Sequence, residues 1–87
     1  MRASEFNKKY KDYIEVGFEE QGLEFDIPQV TKWLDNIFQD LILIPDFTYA
    51  QIKIKFGMAR FYTTLKSVQL TFLIEEKINT LLKQEEQ

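Results

Sequence analysis

Lysine, arginine and tyrosine alternate with apolar residues between Gln51 and Tyr62, and there the chain has the means to do chemistry. Read as extended backbone, Lys53 and Lys55 project to one side of a strand and Ile52, Ile54 and Phe56 to the other. Arg60 and Tyr62 continue the polar side beyond Gly57-Met58. A strip of Lys53, Lys55, Arg60 and Tyr62, with Gln51 and Thr64 beside it, suits an anion. That anion is either carboxylates on a protein surface or the phosphates of a nucleic acid. A β-ribbon fits a DNA major groove, and strands carrying basic and aromatic residues stack bases. Like charges directly across a sheet repel. Either a carboxylate of the same chain (Glu15, Asp35 or Glu75) folds over the strip, or the strip meets an anionic partner.

The means for catalysis are sparse. The chain has no cysteine and no histidine, so thiolate chemistry, disulfides and the commonest general base and metal ligand are missing. Glu19 with Glu20, Asp35 with Asp40, and Glu75 with Glu76 are paired acids, but none has apolar surroundings or metal-ligand spacing. Phosphate loops, nucleophile elbows and zinc patterns are also lacking. The expectation is a protein that is not an enzyme, with no catalytic residue, no metal and no cofactor.

Composition narrows the class. Eighty-seven residues make one small domain, 1–87, with a modest core. An apolar fraction of 45% with 15% aromatics excludes disorder. A net charge of −3 argues against general nucleic-acid coating, so a protein partner ranks above nucleic acid. No apolar run approaches a membrane span, and no apolar core follows Met1-Arg2-Ala3-Ser4-Glu5 to make a signal peptide. The expected location is the cytoplasm, away from membranes.

The elements that must position the strip follow from periodicity. Phe6, Tyr10, Tyr13 and Ile14 predict a first helix from about Ser4 to about Val16, with Ser4 as its cap. Leu23, Phe25 and Ile27 alternate with acids, as a short extended segment or an ordered loop. A second helix starts at Pro28, with Asp26 and Gln29 resembling a capping box, and ends at or before Ile44. Its apolar face is Val30, Trp33, Leu34, Ile37, Phe38 and Leu41.

A hairpin over about 48–65 comes next, with a type II′ turn at Gly57-Met58. That turn pairs Lys55 with Arg60, Ile54 with Phe61 and Lys53 with Tyr62, and makes Ile52, Ile54, Phe56 and Phe61 core. A helical reading of 49–65 would put Gly57 mid-helix at about 1 kcal/mol, and the β-branched alternation favours the hairpin. A last helix spans about Ser67 to Lys83, although Val68, Leu70 and Phe72 also alternate as a third strand would. The tail Gln84-Glu85-Glu86-Gln87 is expected to fray. Together these predict an α+β fold: two N-terminal helices, a hairpin, and a C-terminal helix packed on one face of it.

The stretch Gln51-Ile52-Lys53-Ile54-Lys55-Phe56-Gly57-Met58-Ala59-Arg60-Phe61-Tyr62 resembles a motif of small uncharacterised phage and mobile-element proteins. The shared pattern is Gln, Ile or Val, Lys, any residue, Lys, Phe, Gly, two residues, Arg, Phe, Tyr. The resemblance covers about 12 residues, with Gly22-Leu23 through Phe47 as an extension. It implies a phage-type source and a helix on either side of the hairpin. Many of these proteins carry a Cys-rich tail that this chain lacks, so no metal-linked role carries over, and no reaction is implied.

The functional expectation is a binding module acting by protein–protein contact through Lys53, Lys55, Arg60 and Tyr62. Its partner would be a host factor, such as a defence protein, or a second copy of the chain. Trp33 sits on a core-forming helix face, yet such aromatics also anchor interfaces; with Phe72 on the outer flank of the last helix it is a candidate homodimer contact. The alternative is a nucleic-acid-binding accessory protein using the same strip.

Overall fold

A computed structural model describes Met1–Glu85. The elements are α1 (Ala3–Lys9), β1 (Gly22–Leu23), α2 (Pro28–Leu41), β2 (Tyr49–Lys55), β3 (Met58–Thr63) and α3 (Val68–Glu85). The fold is α+β, with a mixed sheet in the order β1-β2-β3. β1 runs parallel to β2 and β3 antiparallel to it.

The first helix is shorter than its apolar stripe predicts. α1 stops at Lys9, a single 3-10 turn spans Lys11–Tyr13, and the chain then becomes extended. Ile14 bridges to Tyr49 and the Glu15 N–H donates to the Tyr49 carbonyl at 2.9 Å. Strand pairing thus takes over the backbone groups that a longer helix would have used, where Ile14, Val16 and Gly17 are poor helix formers. Ser4 does not cap α1. The Ala3 N–H donates instead to the Asp26 carboxylate at 2.5 Å. Asp26 therefore serves α1, and not α2 as the Asp26–Gln29 spacing predicts; α2 begins after Ile27 with Pro28 in its first turn.

The extended reading of Leu23 holds for Gly22 and Leu23, which pair with Gln51 and Ile52. α2 is the crossover that a parallel pair requires. Asn7 of α1 closes the outer edge of β1: its Oδ1 accepts from Leu23 N–H and its Nδ2 donates to Leu23 C=O, both at 2.9 Å. The other edge is closed by α3, which contacts the hairpin strands. Asn79 Oδ1 accepts from Ala59 N–H at 2.7 Å and Glu75 Oε2 from Phe61 N–H at 2.8 Å. Val68, Leu70 and Phe72 are helical. Gln84 and Glu85 continue α3, and Glu86 and Gln87 lie outside the described residues.

The core gathers on Phe38 of α2. Tyr10, Phe6, Tyr49, Phe47 and Phe61 all pack on its ring with centroids 4.8–6.2 Å away. Tyr49 joins them because the β2–β3 pairing shifts between Tyr49 and Gln51. The extra residue there, Ala50, lets both Tyr49 and Ile52 bury their side chains, which strict alternation forbids.

Candidate binding surface

The geometry of the basic strip is set by the hairpin turn. Phe56 and Gly57 both have positive φ, +54° and +76°, and Lys55 pairs with Met58. This is a two-residue turn of the I′ kind, centred one residue earlier than the Gly57-Met58 turn the sequence predicts. Moving the turn by one residue shifts the pairing by two. Every strand side chain therefore keeps its expected face and only its partner changes. Lys53 lies opposite Arg60, not Tyr62; Ile52 is opposite Phe61, Ile54 opposite Ala59, and Gln51 opposite Tyr62.

Two expected core residues are corrected by this shift. Phe56 now occupies the turn and is 90% exposed, and Ile54, at the end of the sheet, is 39% exposed. Ile52 and Phe61 are buried as expected.

Lys53, Arg60 and Tyr62 share one face, with Lys55 beside them. Lys53 Nζ stands 5.6 Å from the centre of the Tyr62 ring, and Lys55 Nζ lies 5.7 Å from that of Phe56. Among the described residues no carboxylate forms an ion pair with Lys53, Lys55 or Arg60. The three acids placed to cover the strip are used elsewhere or stand apart. Asp35 binds Lys9 Nζ at 2.8 Å and the Tyr10 hydroxyl at 2.6 Å. Glu75 accepts from the β3 edge. Glu15 lines a recess of 570 Å³ with Phe18, Gln51, Tyr62 and Thr63, at the far end of the strip from the turn. Gln51 itself donates to the Gln21 side chain.

The Asp35 cluster is structural. Burial raises the carboxyl's pKa, but the hydrogen bonds from Lys9 and Tyr10 and the Lys9 charge outweigh it, so Asp35 titrates below its ordinary value. Burial, then the hydrogen bond and charge of Asp35, push the Tyr10 hydroxyl up. Tyr49, fully buried with its hydroxyl 3.1 Å from Asn7 Oδ1, is raised chiefly by burial. Among the paired acids, Glu19 holds its own backbone and the Gly17 N–H, which lower its pKa. No group of three or more Asp and Glu converges as metal ligands would among the described residues.

Trp33 and Phe72 are not brought together. Trp33 is half-buried in an apolar groove of 420 Å³ between α2 and α3, lined also by Ile37, Leu41, Ile44, Leu70 and Leu73, with Asp40 its one ionisable residue. Phe72 is 62% exposed and shares a helical azimuth with Val68 and Asn79, on the side of α3 that reaches the β3 edge. The exposed turn residue Phe56 escaped sequence reasoning, because a bulky aromatic is not expected at positive φ. No helix of the described residues is long and apolar enough to cross a membrane. Comparison with known protein families, curated proteins and solved structures finds nothing that matches this chain.

Proposed function

We propose that this protein is a non-catalytic binding module that docks on an acidic protein surface through Lys53, Lys55, Arg60 and Tyr62. The observation that carries this reading is the opposition of Lys53 and Arg60 with no ion-pairing carboxylate among the described residues. Such an arrangement costs stability in the free protein, and an anionic partner relieves it. The adjoining recess gives an apolar side chain of that partner a seat beside Tyr62. The motif's likeness to phage proteins supports a partner in a host cell, such as a defence factor. Asn7 on β1 and the α3 side chains on β3 occupy the edge groups of those two strands, which favours recognition by side chains over strand addition there.

The test replaces Lys53, Lys55 and Arg60 together by alanine and measures affinity for the partner captured by the intact protein. Loss of binding with a melting temperature that holds or rises is the expected result, since the cross-strand repulsion goes with the charges; unchanged affinity removes the strip from function.

A second reading rests on the exposed Tyr62 ring beside Lys53, a pairing that can stack a base and neutralise its phosphate. Anisotropy titrations with single- and double-stranded oligonucleotides separate the two. Phosphate contacts demand a steep loss of affinity with salt. An absence of binding at low salt leaves the protein partner alone.

A further inference from the structure

Phe56 packs into no part of the core, and the contact its ring makes is with the Lys55 ammonium, 5.7 Å from its centre. Phe56 is 90% exposed, and it holds a positive φ that type I′ turns give to Asn, Asp or Gly. Both its exposure and its backbone strain work against the free chain. Ile54 and Met58 beside it are also exposed, and Lys55 projects from the same end of the hairpin. The tip is therefore an apolar anchor with a cationic neighbour.

The chain also carries a surface of matching chemistry. The groove between α2 and α3 is walled by Trp33, Ile37, Leu70 and Leu73, and Asp40 supplies the one charge among its lining residues. A chain cannot fill its own groove with its own tip. Gly57 and Met58 border Asn79 and Leu82 in the last turns of α3, while the groove is built on its first turns. Leu73 and Leu82 are separated by about 13 Å of helix rise.

We infer that the protein self-associates by seating the hairpin tip of one copy, led by Phe56, in the α2–α3 groove of a second, with Lys55 approaching Asp40. This contact shares only Lys55 with the proposed partner surface, which is otherwise Lys53, Arg60 and Tyr62, so variants at Phe56 and Leu73 test it without touching that strip. A reciprocal exchange closes a pair, and a one-way exchange propagates a chain.

Sedimentation equilibrium of the full chain, from micromolar to millimolar, tests it together with the fluorescence of Trp33, the single tryptophan. The expected result is concentration-dependent association with a matching change in Trp33 emission. F56N removes the anchor but suits the turn, so it should weaken association at least about tenfold while its melting temperature holds or rises. L73D places a charge in the groove and should do the same from the other side. Mixing F56N with L73D restores one intact tip and one intact groove, so the mixture should associate more tightly than either variant alone. A wild-type chain that stays monomeric to millimolar concentration overturns the inference, as does association that F56N leaves unchanged.

Discussion

Lys53 faces Arg60 directly across the hairpin, and neither has an ion-pair partner among the described residues. Lys53 leans over the Tyr62 ring, which recovers part of the lost energy as a cation–π contact. Arg60 is therefore the better residue to change. Arg60→Glu exchanges a repulsion for a cross-strand ion pair and should stabilise the fold by about 1 kcal/mol. For a domain of this size that raises the melting temperature by roughly 4–8 °C. The gain should shrink with added salt, because both terms are electrostatic and only half-buried. The same variant should lose the partner bound through the strip. A variant less stable than wild type at low salt would show that the opposition is not repulsive.

Gly22 and Asn7 form a coupled pair. Gly22 has φ +64°, and a Cβ there would run into the Asn7 side-chain oxygen. Gly22→Ala should cost about 1–2 kcal/mol from the left-handed backbone alone, and more from the collision. Asn7→Ala strips Leu23 of both side-chain hydrogen bonds, at about 1–3 kcal/mol. In urea unfolding the double variant should cost less than the sum of the singles, since removing Asn7 clears the space the new methyl needs. Strict additivity would place the whole penalty in the backbone.

The β3 edge depends on two side chains of α3. Glu75→Gln keeps an oxygen for the Phe61 N–H, whereas Glu75→Leu and Asn79→Ala leave edge amides unpaired. The last two should each cost about 1–3 kcal/mol, and Glu75→Gln much less. Hydrogen exchange at Ala59 and Phe61 gives a local readout: protection should survive in Glu75→Gln and fall in Glu75→Leu and Asn79→Ala. The double variant Glu75→Leu/Asn79→Ala should also aggregate, because it frees an edge strand for pairing.

The legible parts of this fold are those with long periodic signals. Val30, Leu34, Phe38 and Leu41 mark α2, and Ile74 and Ile78 mark the buried side of α3. The strip Lys53, Lys55, Arg60 and Tyr62 was legible too, because a turn displaced by one residue preserves faces. Its pairing was not. Phe56 at positive φ contradicts turn propensity, and what favours that register is tertiary: Phe61 under Phe38, and Ala59 against Asn79. β1 has two residues and no period, and its clamp by Asn7 spans 16 positions of sequence. Asp26 looked like the cap of the nearer helix, while three-dimensional proximity gives it to α1. The Ala50 bulge carries no signature that alternation alone can reveal.

The buried hydroxyls and Asp35 set the pH limits of the fold, with opposite signs. Asp35 titrates below its ordinary value of 3.8 because the Lys9 and Tyr10 contacts outweigh the effect of burial. Its contribution is present above that value and is lost as pH falls through the lower folded value. Lys9 is well exposed, so screening keeps this term small. Tyr10 and Tyr49 are raised above the ordinary 10.0, mainly by burial. Their contribution is complete below that value and disappears as pH climbs toward the folded values, because only the unfolded chain then ionises readily. Alkaline unfolding should therefore begin above about pH 10, with phenolate absorbance from Tyr10 and Tyr49 rising together with loss of circular dichroism. Tyr49→Phe keeps the ring among Phe6 and Phe38 and removes one of the two groups, so its stability should fall less steeply across that alkaline range. Asp35→Asn should flatten the acid limb and also soften the alkaline one, because it removes the charge that helps burial raise the Tyr10 hydroxyl. An alkaline profile identical to wild type in Tyr49→Phe would mean that this hydroxyl ionises without unfolding the chain.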